Sequence, residues 1–549
     1  MENRVLLAFI LSLVIFVGWG YFLSVIQGPP PEKKAEVPGQ AEKTPPPAGV
    51  RPPEMGTQAP VPMQEDAPMQ PPSAALPEPL VQVKEELVRV STGRATLVFS
   101  TRGGNLRNIL LPEYHDDDGT TVDLVNHPNG AAWPLSLEST DPAVTRILQN
   151  GYYQPSTQSL VLSESNPVGK LTLHLKHASG LDVVREFIFQ FNHFLVEVKT
   201  RINAPPTVGG PDQRYEVIWG PSMGGKVSSQ TDYFVFSGPT TLNNNERIES
   251  PAEDINGEVR FRGDLNWTAF QNKYFAVALI PRQGIKSALV EKKGEALYIG
   301  LDFETVQSAA STTLLLYAGT KQLQLLEDSG HKLVRLLDYG WLGNKFAFLV
   351  KPLLKTLDFF HGMTNNYGWS IIILTVIIKV LFFPLTHKSF KSMKGMRKIQ
   401  PYIKVIQERN KGNRTKMNEE MLELYKKYKV NPLGGCLPML LQIPVFIALY
   451  HTLFFSIELR GAPFMGWITD LSVRDPYYVT PVLMGATMFL QQKMTPSMGD
   501  PIQQKMMMFL PIVFTFLFVS FPSGLVIYWT VNNLLTIAQQ FYIYRVAKD

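Results

Sequence analysis

The hydrophobic and polar positions divide the chain into three regions with different periodicities. An uncharged apolar run of 22 residues, Val5–Ile26, stands near the N-terminus. Residues 81–319 alternate between apolar and polar positions, whereas the region after Trp369 contains several long apolar runs. Alternation is typical of half-buried strands, and long apolar runs are typical of membrane helices. The pattern therefore predicts a membrane protein that also carries a large water-exposed domain.

The run Val5–Ile26 is long enough to cross a hydrocarbon core of about 30 Å. A cleaved signal peptide has a shorter apolar core and a small-residue cleavage site, so we predict that residues 1–27 form an uncleaved membrane anchor. Residues 28–80 follow, with 16 prolines. Such a composition predicts a disordered, extended tether, and a polyproline ligand is the alternative interpretation.

The alternating region predicts a large antiparallel β-sandwich over residues 81–322. Lys170–Lys176 and Val183–Ile202 show the alternation well, and turn residues such as Gly103 and Gly104 separate the runs. Many short strands with one polar face are typical of such a sandwich. No strand–helix–strand rhythm is visible, which argues against a nucleotide-binding sheet.

Residues 323–365 combine leucines at helical spacing with lysines and arginines. This pattern predicts an amphipathic helix that lies in the membrane interface. For the first half of the segment, a helix packed on the sandwich is an equally good interpretation.

Five later apolar runs predict membrane helices, and together with the anchor they make six spans. The runs are Trp369–Leu385, Leu437–Phe455, Tyr478–Leu490, Met507–Val519 and Leu525–Tyr544. We assign residues 366–386 to the second span, 387–434 to a basic helical hairpin and 435–549 to the last four spans. The expected fold class is an all-α membrane core joined to the β-sandwich.

The charge distribution predicts the orientation in the membrane. His387–Gly434 has 13 Lys and Arg against 4 Asp and Glu, whereas Gln27–Lys345 has 29 against 36. Short basic loops stay in the cytoplasm. We therefore place the hairpin and both termini in the cytoplasm and the sandwich outside. Apolar stripes on both arms of the hairpin favour a docking surface for anionic lipid, ribosomal RNA or an acidic protein.

Lys379 lies ten positions into the second predicted span. A cation at such a depth costs about 2.5–3.5 kcal/mol, and none of the other predicted spans contains Asp or Glu. We expect Lys379 to face a hydrated cavity that opens to the cytoplasm; snorkelling to the headgroups is the alternative. The candidate polar lining of this cavity is Thr375, Gln442, Thr530, Asn532 and Asn533. Each alone is more often a helix–helix hydrogen bond.

Common catalytic and nucleotide-binding motifs are missing from the sequence. It has no HExxH metalloprotease motif, no phosphate-binding loop and no GxSxG nucleophile motif. We therefore expect no enzymatic activity, no cofactor and no metal, and nothing indicates DNA binding. His115–Asp118 could bind a cation, although a solvated loop is the simpler interpretation. A solute transporter or channel is an alternative function. Such a protein would usually show internal repeats, and none is visible in this sequence. A carbohydrate-processing enzyme carried by the sandwich is a further alternative.

Several local motifs resemble the YidC-type insertases. They are Asp338–Leu342, Phe383–Thr386, Val430–Pro438, Asp475–Tyr478 and Phe521–Leu525. Together they are highly specific, and they cover the chain from about residue 338 onward. The anchor, the tether and the large outer domain resemble the Gram-negative form of the family.

The resemblance implies a non-enzymatic insertase of the bacterial inner membrane, with a positively charged groove among five helices. Its substrates would be nascent membrane proteins, handled alone or beside the Sec translocon, with ribosome contact through the cytoplasmic hairpin and with membrane lipids around the core. The groove cation of the family is usually arginine, and Lys379 matches that position. Substrate contacts would fall on Ile443, Phe446, Leu517 and Trp529. The outer domain would resemble a sugar-mutarotase sandwich without its activity.

Overall fold

A computed structural model describes residues 84–546, apart from 117, 129–130, 206–212, 226–234, 304, 307–308, 339–343, 411, 429, 431–436 and 496–500. The predicted anchor (1–27) and tether (28–80) lie outside the described residues. So do most residues of the motifs Asp338–Leu342 and Val430–Pro438.

Twenty strands lie among the described residues of the β-domain, which spans residues 87–320. They are β1 Leu87–Ser91, β2 Thr96–Ser100, β3 Leu106–His115, β4 Thr121–Asp123, β5 Ser136–Ser139, β6 Gln154–Pro155, β7 Ser159–Val161, β8 Val168–Lys176, β9 Asp182–Gln190, β10 Leu195–Asn203, β11 Tyr215–Trp219, β12 Gly238–Asn243, β13 Glu246–Glu249, β14 Glu258–Phe261, β15 Leu265–Gln271, β16 Phe275–Gln283, β17 Ile285–Lys293, β18 Ala296–Phe303, β19 Thr305–Val306 and β20 Ala309–Thr320.

These strands pair into three sheets. The largest has the order β13-β12-β15-β16-β20-β10-β9-β8-β6, with β19 beside β20. Two five-stranded sheets have the orders β4-β3-β2-β1-β7 and β14-β17-β18-β11-β5. The strand pairs are antiparallel, except for β1 and β7, which run parallel. The prediction of a β-sandwich is confirmed.

The burial of the strands follows the sequence pattern. In β8, β9 and β10, every second side chain is buried, because one face of this part of the sheet meets the core and the other meets water. The apolar run Phe275–Ile280 in β16 is buried at every position. Such a continuous run is expected where a strand is covered on both faces.

Nine α-helices lie in the described part of the chain. They are α1 Pro142–Asn150, α2 Leu323–Ser329, α3 Ala347–Thr364, α4 Tyr367–Arg409, α5 Arg414–Lys427, α6 Leu437–Phe455, α7 Val479–Met494, α8 Pro501–Phe518 and α9 Ser523–Phe541. All five later apolar runs fall on helices, namely α4 and α6 to α9. We call these five helices the helical core.

The segment predicted as one interfacial helix over 323–365 is divided. Gly330, His331 and Lys332 all have positive φ, a conformation that ends α2 and that an α-helix does not tolerate. A short 3₁₀ turn follows, in which Leu333 and Leu336 are buried in the core of the β-domain. The first half of the segment therefore packs on the sandwich.

Helix α3 forms the second half of that segment, and its two faces differ. Val350 and Leu354 are buried against Ala448 of α6, whereas Phe348 and Phe359 are about two-thirds exposed. An apolar face left open beside membrane helices fits a helix that lies in the interface.

Helix α4 is longer than the predicted span of residues 366–386. It continues through Pro384 and Pro401 without a break and ends only at Asn410, so the second span and the first arm of the hairpin are one helix. The second arm is a separate helix, because Asn413 caps α5 by accepting a hydrogen bond from the backbone N–H of Lys416.

Among the described residues, α4 is the one helix that is long and apolar enough to span a membrane by length and composition. Helices α6 and α8 contain shorter apolar stretches, Gln442–Phe455 and Met507–Phe518. The count of six spans stays a prediction.

The loop after α6 joins the helical core to the β-domain. The Arg460 guanidinium donates to the backbone oxygen of His115 at 3.0 Å and pairs with the Asp116 carboxylate at 3.2 Å. Both charged side chains are largely buried, and the guanidinium lies 5.3 Å from the Phe275 ring centroid. Asp116, considered above as a cation ligand, therefore has a protein partner.

We predict that Arg460→Ala weakens this junction by about 2–4 kcal/mol, because it leaves the buried Asp116 carboxylate without its partner. Thermal unfolding of the purified full chain in detergent measures the effect. Arg474→Ala is the matched control, since Arg474 is exposed in the same inter-helix segment. Equal melting temperatures for the two variants would contradict the assigned role of Arg460.

Candidate functional site

Lys379 is partly buried in the helical core and contacts the last helix. Its ammonium donates a hydrogen bond to the Thr536 hydroxyl of α9 at 2.8 Å. Within the described residues, no carboxylate lies at ion-pair distance from this ammonium. The cation is therefore turned towards a neighbouring helix and is held there by a neutral group.

Further polar contacts extend from α9 to its neighbours. Asn533 donates to the Thr487 hydroxyl of α7 at 3.2 Å, and Gln539 donates to the Thr386 hydroxyl of α4 at 2.7 Å. Asn532 is partly buried and supplies the backbone oxygen that accepts from Thr536. These contacts satisfy polar groups that would otherwise face hydrocarbon.

The two predicted threonines of the lining make contacts of a different kind. Thr375 donates to the backbone oxygen of Ile371 at 2.6 Å, and Thr530 donates to that of Val526 at 2.8 Å. Both side chains are buried within the helical core. Their hydroxyls are thus bonded within their own helices, which is the common behaviour of Ser and Thr in membrane helices.

Gln442 of α6 reaches α9 by another contact. Its amide donates to the phenolic oxygen of Tyr528 at 2.7 Å, and Tyr528 is almost fully buried. This bond links the helix that carries Ile443 and Phe446 to the helix that carries Trp529.

The four predicted substrate-contact residues divide into two kinds. Phe446 and Trp529 pack edge to face with ring centroids 4.7 Å apart, and Phe518 lies 5.1 Å from Trp529. These rings belong to the core of the helices. Ile443 and Leu517, by contrast, are nearly half exposed, so their side chains are available to an apolar partner.

Five partners in these contacts were missed by the sequence analysis: Tyr528, Thr536, Thr487, and the pair Gln539 and Thr386. A signal was present on α9, where polar residues recur at helical spacing from Asn532 through Thr536 to Gln540. Residues three and four apart share one face of a helix, so this stripe indicated a polar contact face that extends beyond Asn533.

Comparisons with known proteins identify both parts of the chain. A family model described as the YidC periplasmic domain matches residues 87–356, and one described as the 60Kd inner membrane protein matches residues 359–549. The membrane protein insertase YidC of Geobacter metallireducens is 40% identical over 559 residues, which covers 99% of this chain and 98% of that protein. This chain belongs to the YidC family of membrane protein insertases.

A second curated YidC protein agrees with this assignment, and one solved YidC structure was also compared with this chain. The YidC of Geotalea uraniireducens is 40% identical over 561 residues, and the alignment covers 99% of this chain and 99% of that protein. A crystal structure of an active YidC insertase with its first transmembrane domain resolved is 18% identical, with a TM-score of 0.35, and covers 84% of this chain and 95% of that one. The family model that matches residues 87–356 identifies the β-domain as the periplasmic domain of a YidC-family membrane protein.

In this YidC protein, we predict that Gln442→Leu destabilises the helical core by about 1–3 kcal/mol, because the buried Tyr528 hydroxyl loses its partner. Tyr528→Phe in the Gln442→Leu background should recover most of that loss, since both polar groups are then gone. Melting temperatures of the two variants in detergent test this. A double variant that is less stable than Gln442→Leu would contradict the assigned contact.

Proposed function

We propose that this chain inserts nascent membrane proteins through a hydrophilic, positively charged groove in the helical core, with Lys379 as its cation. The observation that carries the proposal is the neutral partner of that lysine. A threonine hydroxyl adds no counter-charge beside the ammonium, whereas an ion pair with a carboxylate would largely cancel the field of the cation.

The charge would act on the polar flank of a client segment. Moving a polar or acidic flank into hydrocarbon is costly, and a cation beside water in the groove lowers that cost. Acidic flanks gain most from it. Once the flank has crossed, the transfer of the apolar segment into lipid drives insertion, at about 25 cal/mol for each Å² of apolar surface buried.

The apolar part of the client would slide along α6 and α8. Ile443 and Leu517 offer exposed aliphatic surface on these helices. Phe446 and Trp529 pack against each other and against the core of the helices, which gives this region a rigid aromatic part. Short helices support the same role, because α7 has 16 residues and is about 24 Å long against a hydrocarbon core of about 30 Å. A short span thins the surrounding bilayer.

We further propose six spans with both termini in the cytoplasm. The hairpin formed by the end of α4 and by α5 then lies in the cytoplasm, where its excess of positive charge favours contact with ribosomes and anionic lipid. The protein would act on its clients alone or beside the Sec translocon.

The test is a charge reversal at the groove. We predict that Lys379→Glu lowers insertion at least roughly tenfold, whereas Lys379→Arg retains most of it, because arginine preserves the charge and glutamate repels acidic flanks. Insertion is measured in cells depleted of their own insertase and complemented with each variant.

Lys286→Glu is the matched control. It makes the same change in net charge at an exposed position of the β-domain, so insertion should stay at the parent level. Immunoblots check that the variants reach equal amounts in the membrane. If Lys379→Glu and Lys379→Arg insert clients equally well, the charge has no role and the groove mechanism is wrong.

A further inference from the structure

Helices α4 and α9 run side by side in the same direction, and their contacts follow the same order along both helices. Gly524 lies near Ile371 at one end, so that an added Cβ would come 3.3 Å from the isoleucine side chain. Lys379 meets Thr536 further along the pair, and Gln539 meets Thr386 beyond it. The pair of helices is therefore held in a single register.

The Thr536 hydroxyl is oriented to accept the hydrogen bond from Lys379. Its own proton is given to the backbone oxygen of Asn532 at 2.6 Å. A hydroxyl has one donor and two acceptor lone pairs, so the Thr536 oxygen is left with lone pairs for the ammonium. The side chain is also largely buried, which limits its freedom to turn away.

The Gln539–Thr386 contact restricts the same pair of helices close to the lysine. The Gln539 amide donates to Thr386, and the Thr386 hydroxyl donates to the backbone oxygen of Phe382 at 3.0 Å. Both side chains are buried or nearly so. This second contact keeps Thr536 within reach of the Lys379 ammonium, because a slip of one helix against the other would break both bonds.

We propose that Thr536 is a positioning residue that sets where the charge of Lys379 is presented to a client. The inference rests on the proposed function of the groove. An ammonium has three N–H donors, and Thr536 takes one of them. Among the described residues no other acceptor is bonded to this ammonium, so two donors remain for a carboxylate or polar group in the client's flank.

Lysine depends on such a residue more than arginine would. Its ammonium is a compact charge at the end of a flexible four-carbon stem, whereas a guanidinium is a planar fork that binds a carboxylate at two points. A lysine in the groove is thus directed by its neighbour rather than by its own shape. Thr536 supplies that direction, and the preference for acidic flanks follows from it.

The experiment compares two clients in proteoliposomes that contain the purified full chain. The clients are single-span proteins with two aspartates or two asparagines in the translocated flank. We expect Thr536→Val to lower the insertion rate of the acidic client about fivefold, because a hydrogen bond to a charged group is lost. The rate of the neutral client should stay near that of the parent protein, and Thr536→Ser should keep the acidic preference.

Thr452→Val is the matched control, because Thr452 is equally buried and its hydroxyl is bonded within α6 to the backbone of Ala448 at 2.8 Å. This control variant should leave the insertion rates of both clients unchanged. Adding Thr536→Val to Lys379→Gln should not lower the insertion rate of the acidic client any further, since the two residues act on one charge.

The outcomes separate the two proposals. If Thr536→Val slows both clients equally, or neither, Thr536 does not position the charge and the inference is wrong, while the groove mechanism stands. If Lys379→Gln leaves the acidic client unaffected, the proposed charge role itself is wrong.

Discussion

The hydrogen bond between Lys379 and Thr536 is the contact on which the organisation of the helical core depends. A charged group within a membrane helix needs a partner inside the protein, since hydrocarbon supplies none. Here the partner is a neutral hydroxyl on the last helix. This contact uses one of the three N–H donors of the ammonium and adds no counter-charge beside it. The other cross-helix bonds of α9 hold α4 and α7 against the same surface.

The β-domain is attached to the helical core by a different kind of interaction, a buried ion pair. Arg460 and Asp116 are buried at the end of α6, where water is scarce and an ion pair is strong. Aromatic rings cover the guanidinium, and Ile457 of the same loop lies within the apolar core of the β-domain. The loop after α6 is therefore shared by both parts, and the helix with Ile443 and Phe446 is tied directly to the sandwich.

Much of the fold was predictable because its periodicities are local. Alternation in β8 to β10 and the apolar runs of α4 and α6 to α9 are visible in the sequence. The break at Gly330 was not predicted, since leucine spacing continues across it and only the positive φ of three residues shows the turn. The continuity of α4 was not predicted either, because the change from apolar to basic residues after Leu385 marks the edge of a membrane span but not the end of a helix.

The candidate site was predictable only in part. Lys379 stands out in any apolar run, whereas its partner Thr536 is 157 positions away and belongs to a stripe of ordinary polar residues. Thr375 lies one helical turn before Lys379 and Thr530 interrupts the last apolar run, yet the hydroxyls of both bond only within their own helices. Thr536 makes the same bond to its own backbone. Whether such a hydroxyl also accepts a bond from another helix depends on the neighbour that packs against it.

The unbroken course of α4 has a mechanical consequence. From Lys379 to Arg409 the helix extends about 45 Å, so the lysine and the first arm of the hairpin belong to one stiff lever. Under the proposed function, the docking of a large assembly at the far tip would tilt the whole helix and so move the ammonium, which lies about 45 Å away. The arrival of a client would then be coupled to the placement of the charge without a hinge between them.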